Sequence, residues 1–407
     1  MVRLWRKRIF LDYASITPID QRVVEVMRRY ETVANPSAIY TEGLEAKKVL
    51  EDAKKSIASV LSCRSEEIFF TSGGTESNNM AILGVFEACK TNKFKPHIIV
   101  TAIEHPSVLE VCKEVERRGG EVSIISVSED GFVDPKNIEK ALKKNTVLVS
   151  LMYANNEIGT IQPIKEISRI LKEWRIKNNT IFPYFHTDAC QAALYLSLEV
   201  NKLGVDLMTL DGIKMYGPRG IGMLYVKKDV NIKPLIFGGG QQNGLRSGTE
   251  NVPAIAGFAE ALSFASKMRE GEGKRLSEIR DYGIKKILET FPNSNLNGSL
   301  DNRLPNNINI CFPGFDAEFA VVSLDVAGIS ASYSSSCRTF AENSSSYVVE
   351  ALAKSSLRDD RSNQHEADFR GKSNCASSSL RFSLGRESTK GDIDTLILAL
   401  KKIIKHN

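Results

Sequence analysis

No apolar run in this chain approaches the roughly 20 residues that a helix needs to cross a bilayer; the longest are of strand length. That shortage argues against a helical membrane protein. The start, MVRLWRKRIFLDYAS, is basic, lacks a secretory apolar core and runs directly into strand-like residues, so a cytoplasmic location is expected. Net charge is scarce as well. The 54 Lys and Arg against 49 Asp and Glu leave only +5, and no basic stripe interleaved with aromatics occurs, so neither a nucleic-acid surface nor a membrane surface is expected. Cysteine is sparse and unpatterned: seven residues, at 63, 89, 112, 190, 311, 337 and 375, with no C-x-x-C pair and an odd total. Reduced thiols are expected in place of a disulfide framework, and no metal site is expected. There is no internal repeat.

What remains is the composition of an ordinary globular protein, 42% hydrophobic and 25% charged, and its 407 residues suffice for two domains with separate cores. Short apolar runs at 68–71, 98–101, 122–127, 147–151, 181–186 and 207–210 read as strands. Helical patterns at 42–61, 76–88, 106–118, 136–143 and 163–175 precede or separate them. Continuous apolar strands alternating with helices predict an α/β fold, a mostly parallel sheet sandwiched by helices. Past Gly248 the pattern changes to helices at 252–267, 276–290, 317–326 and 391–404 with a strand near 307–312, which suits a smaller α+β domain. Residues 354–379 are Ser-rich and polar and read as a mobile surface loop. The expected division is a large domain at 16–258 and a small one at 1–15 and 259–407.

Parallel sheets bind ligands beyond the carboxyl ends of their strands, so the loops there carry the chemistry. After IFFT, Gly74 and Thr75 in SGGTESNN open either an anion-binding helix N-terminus or an ordinary capped turn. His105, just before Pro106, is a candidate ring-stacking or proton-exchanging imidazole, or a helix cap. Asn155 and Asn156 in NNEIG are turn residues or ligands. Asp188 in HTDACQ ends a buried strand and needs a partner, because an unpaired carboxylate in a low-dielectric core is costly, unless it is only a helix N-cap. Between the runs 207–210 and 221–226 lies Lys214 among Gly212, Gly217, Pro218 and Gly220. A partly desolvated ammonium there has a lowered pKa and can condense with a carbonyl, unless it is only a solvated lysine on a hairpin.

The segment DGIKMYGPRGIG is similar to the cofactor-lysine region of the cysteine desulfurases, a group of pyridoxal-phosphate enzymes of fold type I within the class V aminotransferases. The resemblance extends over nearly the whole chain through LDYASITP, GGTESNN, NNEIG, HTDACQ, RSGTEN, SYSSSCRT and SSLRFSLGRES. It implies pyridoxal 5'-phosphate as cofactor, with Lys214 as the Schiff-base lysine and base at Cα. It further implies Asp188 on the pyridinium nitrogen, His105 over the ring, and Asn156 and Gln191 beside it. Gly74 and Thr75 fall on the phosphate positions. Thr249 falls on a residue that bonds the phosphate of the partner subunit, which implies a homodimer with composite sites. Arg381 falls on the residue that pairs with the substrate carboxylate, with Asn156 nearby. Cys337 falls on the cysteine that attacks the sulfur of L-cysteine, releasing L-alanine and leaving a persulfide for a sulfur acceptor such as an iron-sulfur scaffold or a tRNA-thiolating protein.

Ser15, Ile16 and Ser334 depart from the pattern, and so do two residues beside Lys214: Asp211 stands where a Ser or Thr is expected and Ile213 where a His is expected. Each lost charge-assisted bond to the phosphate is worth about 1.5 to 3 kcal/mol, so weakened cofactor binding is expected. A related pyridoxal enzyme, such as a selenocysteine lyase or an aminotransferase, and a non-catalytic dimeric relative remain as alternatives.

Overall fold

The computed structural model describes residues 8–333, 345–359 and 374–405. The chain enters through a two-residue strand, β1 (Ile9–Phe10), and two helices, α1 (Gln21–Arg29) and α2 (Thr41–Leu61). Seven strands follow: β2 (Ile68–Thr71), β3 (His97–Thr101), β4 (Glu121–Ile125), β5 (Thr146–Met152), β6 (Tyr184–Asp188), β7 (Leu207–Asp211) and β8 (Gly222–Val226). Between them run α3 (Gly74–Cys89), α4 (Pro106–Arg117), α5 (Pro135–Ala141), α6 (Ile164–Lys177) and the short α7 (Val200–Leu203). The strand order is β2-β8-β7-β6-β5-β3-β4. β8 is antiparallel to both its neighbours, and the other pairings are parallel. The expected mostly parallel α/β sheet is what forms.

The central strands are mostly apolar because both faces are covered. On one face Ile57, Leu61, Ile167, Leu171 and Phe258, from α2, α6 and the helix that follows β8, pack on Phe70, Val149 and Met208. On the other, Met80, Val85 and Phe86 of α3 and Val108, Val111 and Val115 of α4 pack on Ile98, Leu148 and Leu224. Strand β4, at the edge, is only partly buried. Because β2, β3, β5, β6 and β7 all run the same way, their carboxyl ends share one edge.

The second region starts with α8 (Val252–Thr290) and continues through β9 (Asn295–Leu296), β10 (Asn307–Cys311), α9 (Ala317–Val326), β11 (Ile329–Ser330), α10 (Tyr347–Asp359), β12 (Ser379–Ser383) and α11 (Lys390–Lys405). β12, β10 and β9 form an antiparallel sheet, and β11 pairs in parallel with β1. Leu276, Ile284, Ile308, Phe382 and Leu396 make a separate core there. Helix α8 is one 39-residue element where two were expected. Its polar middle reads as a break, but Gly271 and Gly273 face open space and the helix simply crosses from one core to the other.

The surface-loop reading of 354–379 is corrected at both ends. Helix α10 runs to Asp359, a turn forms at Asn374–Ala376, and Ser379 opens β12; residues 360–373 lie outside the described ones. The expectation of reduced thiols is corrected too: Cys311 and Cys375 form a disulfide, with Cα atoms 5.2 Å apart. Cys311 lies opposite Ser379 in the β10–β12 pairing, so the turn just before β12 folds back onto it. A separation of 64 residues gave no spacing signal for this. Cys63, Cys89, Cys112 and Cys190 are free. No helix among the described residues is long and apolar enough to cross a membrane.

Two histidines are buried inside the large sheet. His97 bonds Thr146 Oγ1 at 2.9 Å and Ser123 Oγ at 2.8 Å, and His186 bonds Ser150 Oγ at 2.8 Å and Thr209 Oγ1 at 3.0 Å. Burial brings both imidazoles down from 6.5 to about 4. Between those values the unfolded chain binds more protons than the folded one, so these groups stabilise the protein above about pH 6.5 and lose that contribution as the pH falls toward 4. The melting temperature is expected to drop over that window, and to drop less steeply in His186→Gln. Equal slopes in the two proteins would remove His186 from the account.

Candidate active site

The loops at the shared edge of the large sheet surround a pocket. Five strands supply its wall: Gly74 and Thr75 follow β2, His105 follows β3, Asn156 follows β5, Asp188 ends β6, and Asp211 and Lys214 end and follow β7. Ala14 and Ser15, near the start of the chain, and Arg381 of β12 complete it from the other core.

Lys214 ends a single 3₁₀ turn, Gly212–Lys214, between β7 and β8. It is half-buried, and its Nζ donates to the carbonyls of Ala14 at 2.8 Å and Ser15 at 2.6 Å. Gln191 Nε2 donates to the same Ala14 carbonyl at 2.9 Å. The lysine is therefore held at the cavity by two backbone acceptors and is not a solvated hairpin residue. Asp188 is 8% exposed, and its carboxylate accepts from Asn78 Nδ2 at 2.7 Å and from the Cys190 amide at 3.0 Å.

Asn78 links this carboxylate to the histidine. Its Nδ2 also donates to Ser107 Oγ at 2.8 Å, and Ser107 Oγ lies 2.8 Å from His105 Nδ1. Nδ1 accepts the Ser107 amide at 3.1 Å as well, capping α4. With Nδ1 accepting, the proton of a neutral ring sits on Nε2. Burial keeps the His105 pKa below its ordinary value, with Asp188 acting in the opposite sense. His105 thus caps α4 and also lines the cavity. Asn78 and Ser107 were not singled out from the sequence, although Asn78 stands in the GGTESNN string, four residues into the helix whose start was read as the anion site.

Arg381 is 2% exposed. Its Nη2 donates to Asp12 Oδ1 and Ser15 Oγ, both at 2.8 Å, and Nη1 to the Asn156 carbonyl at 3.0 Å. Arg381 Nε and Asn156 Oδ1 are buried with no partner among the described residues. Cys337 lies outside the described residues, but both flanks of its segment are tied to this region. Ser332 bridges the backbone of Arg381, and Ser346 Oγ donates to Glu157 Oε2 at 2.5 Å.

At the start of α3 the glycine is required by crowding: a Cβ on Gly74 would stand 2.9 Å from Cys190 Sγ and 3.2 Å from Asp211 Oδ2. The Gly74 amide, read from the sequence as a phosphate donor, donates to Asp211 Oδ2 at 2.8 Å. Arg246, in the glycine-rich loop before α8, is paired with Glu76 at 2.8 Å. Thr249 is exposed and does not line the cavity of its own chain.

The residues fit pyridoxal 5'-phosphate at its ring. A lysine amine, a buried carboxylate suited to a protonated ring nitrogen, a neutral imidazole and unpartnered polar atoms on Asn156 and Arg381 share one cavity. The phosphate end offers Thr75 and the first turn of α3, with the Asp211 carboxylate beside them. No group of His, Cys, Asp and Glu among the described residues could hold a metal ion.

Comparison with known proteins agrees with this geometry. The family model for aminotransferase class-V matches residues 9–396. The chain is 41% identical to cysteine desulfurase IscS of Dictyoglomus turgidum over 402 residues, covering 98% of this chain and 95% of the relative. It is 38% identical to the mitochondrial cysteine desulfurase of Saccharomyces cerevisiae, covering 98% of this chain and 75% of that one. A solved NifS-like protein superposes with a TM-score of 0.86 at 31% identity, covering 98% of this chain and 100% of the other. With the lysine, aspartate, histidine and arginine of its motifs gathered in one cavity, the chain belongs to the cysteine desulfurases of the class V aminotransferase family.

Proposed function

We propose that this chain converts L-cysteine to L-alanine and carries the released sulfur as a persulfide on Cys337. The supporting observation is the single cavity that joins Lys214, Asp188, His105, Asn156 and Arg381, drawn from both cores of the protein. The family depends on pyridoxal 5'-phosphate. When bound, that cofactor draws electrons away from the substrate Cα.

The residues of the chain do the rest. Lys214 is the amine that would hold the cofactor aldehyde, and as a base it would move the proton at the substrate Cα. Asp188, fixed by Asn78 and the Cys190 amide, keeps the ring nitrogen protonated. His105, neutral and hydrogen-bonded to Ser107, exchanges a proton through Nε2. Arg381 receives the substrate carboxylate. The Cys337 thiolate attacks the substrate sulfur: the C–S bond breaks, an S–S bond forms, and L-alanine leaves.

The persulfide then passes to a protein acceptor, such as an iron-sulfur scaffold or a tRNA-thiolating protein, in the cytoplasm. The working unit is a homodimer in which Thr249 completes the partner's phosphate site. Its exposure outside its own cavity supports that reading. Residues 16–258 form the cofactor domain, and 1–15 with 259–407 the domain carrying Cys337.

Mass spectrometry after incubation with L-cysteine is expected to find one added sulfur at residue 337, and Cys337→Ala is expected to lose both the adduct and sulfide release. An unmodified Cys337 with normal alanine production would point to a different pyridoxal enzyme.

A further inference from the structure

The N-terminus of α3 already holds an anion that belongs to the chain. Asp211 Oδ2 accepts the Gly74 amide at 2.8 Å, and Oδ1 accepts the Ile213 amide at 3.1 Å. A Cβ on Gly73 would stand 3.3 Å from Oδ2, so the carboxylate lies against the glycine turn itself. One residue earlier the Ser72 amide donates to Glu76 Oε2 at 2.7 Å, and Glu76 is committed to Arg246. Of the backbone donors at this helix start, the Gly74 amide is therefore already taken by a carboxylate, and a second carboxylate holds the Ser72 amide just before it. The nearest cation, Lys214, points its ammonium at the carbonyls of Ala14 and Ser15.

A phosphate dianion and an ionised carboxylate cannot share one N–H donor, since like charges about 3 Å apart do not both stay ionised. We infer that Asp211 controls admission of the cofactor phosphate: binding is coupled to uptake of one proton by the Asp211 carboxyl, which then donates to a phosphate oxygen as a hydroxyl would. The inference rests on the cavity being a pyridoxal-phosphate site. The proton comes from solvent and no covalent bond changes.

The groups around Asp211 set the balance. The Gly74 and Ile213 amides and the Lys214 ammonium favour its charged form, Asp188 across the cavity disfavours it, and His105 and the Cys190 thiol lie within its field. Burial is the largest influence and holds the carboxyl above the usual aspartate range, so the proton is the more readily taken.

Isothermal titration of the full chain, freed of cofactor, with pyridoxal 5'-phosphate from pH 6 to 9 tests this. Titration in two buffers of different ionisation enthalpy counts the protons taken up. Wild type is expected to take up about one proton more than Asp211→Asn or Asp211→Ser, and its affinity to fall about tenfold further behind theirs per pH unit above the carboxyl's pKa. Pyridoxal, which lacks the phosphate, is expected to bind all three proteins alike. Equal affinities and proton counts for the phosphorylated cofactor would overturn the proposal, as would the same gap with pyridoxal, which would mark Asp211 as a support of the pocket wall. Failure of all three folded proteins to bind pyridoxal 5'-phosphate would overturn both the proposal and the cofactor reading. The Asn variant keeps one acceptor for the two amides, so the test survives if the Ser variant does not fold.

Discussion

Lys214→Ala is expected to remove turnover of L-cysteine to the limit of detection, with the protein still folded. Lys214 is the one lysine lining the cavity among the described residues, and its Nζ is placed by two carbonyls 2.8 and 2.6 Å away. Losing a positioned general base alone lowers rates by roughly 10²- to 10⁴-fold. Here the covalent hold on the cofactor goes with it, so the loss is at the upper end or beyond. Lys214→Arg keeps a cation near the Ala14 and Ser15 carbonyls but offers no amine that condenses with an aldehyde, so it should be as inactive as the alanine variant. Alanine formation and borohydride reduction of the yellow protein check both. Hydride-trapped cofactor on residue 214 is expected in the wild type alone. Trapping on a different lysine, or wild-type turnover in either variant, would end the assignment.

The large sheet was legible because its strands, apart from the edge strand β4, are buried along nearly their whole length. β5, for instance, is buried along its whole length and reads as an apolar run interrupted only at Ser150 after its opening Thr146. The second region was less legible for the opposite reason. β12 has only the alternation Ser-Leu-Arg-Phe-Ser, in which Leu380 and Phe382 enter the small core while Arg381 faces the cavity. That period of two was present in the sequence, but the Ser-rich stretch before it masked the strand. α8 was split in two because its middle touches neither core.

At the site, residues that act singly were found and residues that act through others were not. Lys214, Asp188, His105 and Arg381 stood out by their chemistry or their motif. Asn78 and Ser107, which tie Asp188 to His105, come from two different helices, α3 and α4, and no local spacing relates residues 29 apart in this way. Ala14 and Ser15 contribute backbone carbonyls, which carry no side-chain signal at all. The sequence showed that Asp211 breaks the family pattern; only the fold shows that it sits on the Gly74 amide.

Arg381→Ala is expected to cost stability as well as activity, and the two losses separate with a second variant. The guanidinium is 2% exposed and binds Asp12, Ser15 and the Asn156 carbonyl, joining the first residues of the chain, the β5 loop and β12. Removing one partner of a buried ion pair costs about 3 to 5 kcal/mol because the other charge is left uncompensated. Asp12 keeps some contact with water, its side chain being 18% exposed, so the lower end of that range is expected. Arg381→Lys retains the charge facing Asp12 but loses the fork that reaches Asn156 and Ser15 together. It should melt closer to wild type while its KM for L-cysteine rises about tenfold or more, the worth of one charge-assisted bond to the substrate carboxylate. Thermal melts and steady-state kinetics on the two variants read these effects apart. A lysine variant with wild-type KM would leave Arg381 as a structural clamp between the two cores and pass the substrate carboxylate to another donor.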